Sequence, residues 1–194
     1  MRNFIGLLVL IYGMALNPVA WTAVANNPDL IWEWVNPLPQ GNDLSDAVWV
    51  ELEELKLWVA VGSLGTVVSS EDGITWSQHR HSWFTRSLNS IAWNGHQLIA
   101  VGEHGTIINY YITRGVNGIG WKLSPGSQYE SGTSDDLLAI TWGGNQFVTV
   151  GAYGTILTSS DGVIWSPRKS DATHLNAITW NGHLFVAVGG AQYD

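Results

Sequence analysis

The chain has no cysteine, so no disulfide framework can staple it and no lipid can be attached through a thiol. Charge is scarce as well. Charged residues make up 12% of the 194, and a net charge of −8 leaves no basic stripe for a nucleic-acid backbone. Helical periodicity is missing after the first 25 residues, and no P-loop, nucleophile elbow or dinucleotide fingerprint occurs. What is abundant instead is Gly, 22 residues, and Trp, 12 residues. That pairing predicts an all-β protein with tight turns and large buried anchors.

Residues 1–25 read as a secretory signal peptide: Arg2 gives the positive start, residues 4–16 the apolar core, and Ala23-Val24-Ala25 a small-x-small cleavage site. The alternative is an uncleaved membrane anchor, because residues 4–25 are almost long enough to span. Asn17-Pro18 interrupts that run and favours cleavage. The expected location is therefore outside the cytoplasm: periplasmic, extracellular or thylakoid-lumenal. Contact with a membrane is expected only through an uncleaved signal.

The stretch 137–165, LLAITWGGNQFVTVGAYGTILTSSDGVIW, sets the pattern for the rest. Short β-branched and aromatic runs alternate with Gly/Asn turns, which is the mark of an antiparallel meander. A first-strand motif recurs as Ala47-Val48-Trp49, Ile91-Ala92-Trp93, Ile140-Thr141-Trp142 and Ile178-Thr179-Trp180. Second strands follow as Val59-Ala60-Val61-Gly62, Ile99-Ala100-Val101-Gly102, Val148-Thr149-Val150-Gly151 and Val186-Ala187-Val188-Gly189. Trp to Gly is nine residues in the last three copies. The first copy is four residues longer, which places a longer turn over residues 51–56. Asn94-Gly95, Gly143-Gly144 and Asn181-Gly182 are residues that accept the positive φ of a hairpin turn. Third strands begin after Gly65, Gly105 and Gly154, and Trp76, Trp121 and Trp165 each close a repeat.

The first-strand Trp residues lie 44, 49 and 38 residues apart, the size of one four-stranded propeller blade. The expected organisation is a partial β-propeller over residues 26–194. It has an outer closing strand at 31–36, blades at 44–76, 88–121 and 137–165, and an incomplete blade at 175–194.

Two turns carry a further signature, Ser70-x-Asp72-Gly73-x-x-Trp76 and Ser160-Asp161-Gly162-x-x-Trp165. They resemble the Asp-box, or BNR, repeat of sialidase-like β-propellers. With the V-A-V-G-x-x-G-T-I pattern, the chain is most similar to the propeller family that contains the photosystem II assembly/stability factor. The resemblance spans roughly residues 31–189, and it implies a protein-binding or complex-assembly role. Copy two lacks the Ser and Asp of the box, and copy four fades after Gly189.

Ser and Asp side chains can bond the backbone of a tight turn, so these residues are expected to be structural rather than catalytic. One carboxylate per turn makes a poor Ca²⁺ site, and no metal or cofactor is expected. His96 and His183 sit at hairpin spacing and do not form an i,i+4 ligand pair. The expected binding face carries the strand-two-to-three and blade-to-blade loops: His79, Arg80, His81, Trp83, Arg86, His104, Tyr153 and Arg168. Arg supplies a bidentate fork there and Trp a stacking plate; the alternative for the 79–86 segment is an ordinary inter-blade loop.

A second functional class stays open: a fragment of a sialidase-like glycan hydrolase or a glycan-binding propeller. Such a hydrolase needs an arginine cluster, a Tyr–Glu pair and an Asp acid. Outside the signal only Arg80, Arg86, Arg114 and Arg168 remain, and no Tyr–Glu motif is recognisable. The expectation is an exported, non-catalytic scaffold. Its partner would be a protein, or the remaining blades of its own ring, because three and a half blades leave edges that a closed ring removes. A chain cut short, several chains in one ring, and an open arc capped by a partner all satisfy this, and the stop inside a blade favours the first.

Overall fold

The computed structural model describes residues 41–53, 55–79, 84–115, 118–123, 129–168 and 170–190. The expected signal segment, the outer strand at 31–36, and Arg80, His81 and Trp83 lie outside these residues.

The protein is all-β, an incomplete propeller of four antiparallel sheets stacked in chain order. The first sheet is β1 (Leu44–Leu52), β2 (Leu55–Gly62), β3 (Thr66–Ser70) and β4 (Ser77–Gln78), paired in that order. The second contains β5 (Leu88–Trp93), β6 (Leu98–Gly102), β7 (Thr106–Gly115) and β8 (Gly118–Leu123), with β9 (Tyr129–Glu130) also on β7. The third is β10 (Leu137–Gly143), β11 (Gln146–Gly151), β12 (Ile156–Ser159) and β13 (Ser166–Pro167). The fourth is the hairpin β14 (Leu175–Trp180) and β15 (Phe185–Gly189).

Alternation along each strand sends one set of side chains to the preceding blade and the other to the next. Val50, Leu57, Val59 and Val61 of the first blade meet Leu88, Ile91, Leu98 and Ala100 of the second in one core. The far side of the second blade, Ala92, Ile99 and Val101, meets Leu137, Ile140, Phe147 and Leu157 of the third. Trp180 then lies over Gly143, so close that a Cβ there would come within 2.2 Å of its ring.

The recurring Gly of the second strand has a similar cause. A Cβ at Gly62, Gly102 or Gly151 would stand 2.0 Å from the carbonyl oxygen of Asp43, Ser87 or Asp136, where the bulged first strand crosses over. No side chain fits between these backbones.

Several boundaries differ from the sequence expectation. The extra residues of the first hairpin lengthen its strands, down to the pair Leu52↔Leu55, with Glu51 and Lys56 ion-paired across them, rather than forming a long turn. The hairpin of the third blade turns on Gly144-Asn145, both at positive φ, not on Gly143-Gly144. The second and fourth hairpins span four residues, with the Asn94 and Asn181 side chains accepting the N–H groups that follow. Fourth strands in blades one and three start just after Trp76 and Trp165, so those blades run two residues past the expected limits.

The Trp is the last residue of its turn because its ring folds back: Trp76 Nε1 donates to the Gly73 carbonyl at 3.1 Å, and Trp165 Nε1 to that of Gly162 at 3.3 Å. In the second blade β8 and β9 divide the fourth-strand place between them, in register with opposite ends of β7.

Candidate functional site

The Asp-bearing turns are closed clasps. Ser70 Oγ donates to Asp72 Oδ1 at 2.9 Å and accepts from the Gly73 N–H at 2.7 Å. Asp72 Oδ1 also accepts from the N–H groups of Ile74 and Thr75. In the third blade the hydroxyl belongs to Ser159, which bonds Asp161 at 3.0 Å and the Gly162 N–H at 2.8 Å. Ser160, expected in that role, is exposed. The reason is register, because the hydroxyl must come two residues before Asp, as Ser70 does.

At Asp72, burial pushes the carboxyl up, but the bonds from Thr75, Ile74 and Ser70 together outweigh it and hold it below the ordinary carboxylate value. At Asp161 the N–H groups of Ile164 and Val163 lead, and the carboxyl is likewise held low. In each box one carboxylate oxygen, Oδ1, gathers these bonds and closes the turn. The third-blade clasp also locks to its neighbour: Gln97 Nε2 donates to the Asp161 carbonyl at 2.8 Å, and Asn109 steadies Gln97.

The strand-two-to-three connections are more suggestive. In three blades the residue before the second Gly sits in the left-handed region: Leu64 at φ 56°, His104 at φ 55° and Tyr153 at φ 53°. Non-glycine residues rarely adopt this conformation, and it recurs here at one position of the repeat. Leu64 and Tyr153 are 61% and 72% exposed, and His104 is exposed too. These side chains are thus displayed, not packed.

Acidic side chains of the same loops hold the backbone in place. Glu103 accepts from the Ser87 N–H at 3.0 Å, Asp136 from the His104 N–H at 2.8 Å, and Asp135 from the Thr155 hydroxyl at 2.6 Å.

The expected binding residues divide into two groups. His79 and Arg168 occupy one repeat position, each just after a fourth strand, with N–H groups on the Val67 and Ile156 carbonyls. His79 Nε2 lies 2.7 Å from Ser69 Oγ and Arg168 Nε donates to Thr158 Oγ1 at 2.9 Å, so both side chains lie across their own blades. Arg86 reaches the next blade instead, Nη1 standing 3.5 Å from Thr106 Oγ1. Arg80, His81 and Trp83 lie between His79 and Arg86, outside the described residues.

What the structure does bring together is Tyr153, Trp165 and Arg168. They line a cleft of about 430 Å³ with Ser131, Thr133 and Ser170. Trp165 and Leu64 had no binding role in the sequence reading. For Leu64 the signal was present, in the variable pair between the two Gly of V-x-V-G-x-x-G; Trp165 carried only its anchor signature.

The cleft combines an aromatic plate, hydroxyls and a guanidinium. Thr158 fixes Arg168 through Nε, which leaves its remaining N–H groups to fork a carboxylate or carbonyl.

Stacked four-stranded meanders with these loops define an incomplete β-propeller that displays a polar, aromatic loop face. Two solved propellers are similar to it. A structure described as YCF48 bound to D1 peptide matches with TM-score 0.56 and 19% identity, covering 82% of this chain and 49% of that one. YCF48 from Cyanidioschyzon merolae matches with TM-score 0.53 and 19% identity, covering 78% of this chain and 52% of that one. The chain thus spans about half the length of these structures. No protein-family model and no curated protein matches it.

Proposed function

We propose that this chain is an exported, non-catalytic propeller scaffold whose loop face binds a protein segment, in the manner of an assembly factor. One observation carries the proposal: Tyr153, Trp165 and Arg168 meet in a single open cleft. Tyr153 is held in a preset backbone conformation, and Arg168 is braced by Thr158. The backbone at Tyr153 and the side chain of Arg168 therefore need little further ordering on binding. Aromatic and Arg residues are the usual anchors of such contacts, and a carboxylate or backbone carbonyl of an extended segment suits the guanidinium. A solved structure of similar fold holds a D1 peptide, which supports a protein ligand over a glycan. The first 25 residues, removed on export, would deliver the scaffold to a periplasmic, extracellular or lumenal space.

The experiment is a titration of the chain with a D1 peptide and with a scrambled control of equal charge, followed by calorimetry. Saturable binding of the first alone is expected, and Arg168→Ala and Tyr153→Ala should each weaken it roughly five-fold or more, the scale of an interface anchor. Equal binding of both peptides, or turnover of a fluorogenic sialoside, would overturn the proposal.

A further inference from the structure

We propose that two hairpin turns, Asn94-Gly95 and Asn181-Gly182, are sites of spontaneous modification. At each, the Asn side chain loses ammonia through a cyclic imide and becomes isoaspartate or aspartate. The chemistry needs an attacking backbone nitrogen one residue on, an attacked carboxamide, and a way to hold the charge that develops between them.

The backbone nitrogens are open. Gly95 and Gly182 both sit at φ 97°, and nothing lies within 4 Å of where a Cβ would stand on either. No side chain of its own therefore shields the nitrogen that must approach the Asn. Among the described residues, neither Gly N–H donates a hydrogen bond. Attack by that nitrogen gives up no existing bond.

The carboxamides are held and polarised. Asn94 Oδ1 accepts from the His96 and Gln97 N–H groups, both at 2.9 Å. Asn181 Oδ1 accepts from those of His183 and Leu184, again both at 2.9 Å. Two N–H donors aimed at one carbonyl oxygen stabilise the negative charge that gathers there when its carbon is attacked. Nucleophile and target belong to adjacent residues, so ring closure is intramolecular. His96 and His183 follow the two Gly directly and are exposed, and an imidazole can take the Gly proton itself or through one water.

The third blade offers a contrast within the same repeat. Its turn runs Gly144-Asn145, so Asn145 is followed by Gln146, the first residue of β11. The order Asn-Gly is absent there.

The steps balance without an oxidant or reductant. The Gly nitrogen bonds to the Asn Cγ, its proton passes to the amide nitrogen, the Cγ–Nδ2 bond breaks and ammonia leaves. Water then opens the imide at one of its two carbonyls. Opening at Cγ restores the original backbone with an Asp. Opening at the main-chain carbonyl carbon routes the chain through Cγ and leaves isoaspartate. At Asn94 the change falls beside Gln97, whose Nε2 donates to the Asp161 carbonyl, so this site bears on the seam between the second and third blades.

The test is to age the folded full chain in mildly alkaline buffer beside a sample held in urea, then to map both by peptide mass and count the ammonia released. Cleavage after Lys and Arg puts Asn94, Asn117, Asn145 and Asn181 on separate peptides, so the further pair Asn117-Gly118, whose Asn lies outside the described residues, is not confused with either site. The Asn94 and Asn181 peptides should gain the mass of an amide-to-acid change at least as fast in the folded chain as in urea. Each event should release one ammonia and yield both isoaspartate and aspartate, while the Asn145 peptide stays unchanged. Gly182→Ala should slow conversion at Asn181 roughly ten-fold, because the added methyl crowds the attacking nitrogen. Asn94 should keep its rate in the same molecules, which shows that the variant still folds.

Conversion in urea with none in the folded chain would overturn the proposal, since the turns would then protect Asn. Aspartate without isoaspartate would also overturn it, because direct hydrolysis bypasses the imide, and so would equal conversion at Asn145.

Discussion

The hairpins β10–β11 and β14–β15 share a pattern but not their surroundings. Both open on Leu, run into Ile-Thr-Trp and return through Phe-Val-x-Val-Gly. Their registers agree, Trp142↔Phe147 and Trp180↔Phe185, and their Trp–Phe ring centroids stand 4.6 and 4.4 Å apart. Yet Phe147 and Val150 are fully buried, whereas Phe185 is half-buried and Val188 lies in the open. The local pattern sets pairing, turn and aromatic contact. Burial is conferred by the blades on either side. This is how repeat proteins distribute stability, as a sum of unit and neighbour terms.

The largest expected effect tests that difference directly. Phe147→Ala should cost roughly 3–5 kcal/mol in urea unfolding, and Phe185→Ala less than half as much. Equal losses would break the comparison.

A smaller effect concerns the bonds that cross from blade to blade. Asp46 Oδ2 accepts from Ser90 Oγ at 2.7 Å and from the Ile91 N–H at 2.9 Å, and Ser90 Oγ in turn accepts from the Ile140 N–H at 3.2 Å. The fourth blade has Ala177 after Ala139 in this series and lacks the link. Asp46→Ala, which strands the Ser90 and Ile91 donors, should lower stability by about 1–3 kcal/mol, read as a shifted urea midpoint. Asp46→Asn should recover part of it.

Smaller again is the turn clasp. Ser159→Ala should cost about 1 kcal/mol, as losing a helix cap does. Ser160→Ala should stay within about 0.5 kcal/mol, as exposed substitutions do. The reverse order would return the clasp to Ser160.

The smallest effect is on acid stability. The Asp72 and Asp161 carboxyls are held below the ordinary carboxylate value in the folded chain. Their contribution is therefore complete above that value and is lost as pH falls through the lower, folded values. Both are largely exposed, so solvent screens the effect. The double variant Asp72→Asn, Asp161→Asn should flatten the fall in melting temperature below about pH 4, leaving the neutral-pH slope alone.

Much of the architecture was legible from the chain itself. Trp-to-Gly spacing located the first two strands of every blade, because alternation and turn chemistry are local. The fourth strands were less visible: Ser77–Gln78 and Ser166–Pro167 are two residues each, too short to show a period. Asp46 gave no local sign of its role, since its partners lie 44 and 45 residues away. The site was legible only in part. Tyr153 and Arg168 were both candidates, but their meeting beside Trp165 depends on how three segments of the third blade and the loop before it converge. His79 occupies the repeat position that Arg168 fills two blades later, and it lies against Ser69, a placement that its neighbours in sequence do not reveal.

Hydrogen exchange on the two hairpins is the most direct test that neighbours, not local pattern, decide burial. Amides of β11 should exchange slowly, whereas those of β15 should exchange fast. Equal protection of β11 and β15 would contradict the account.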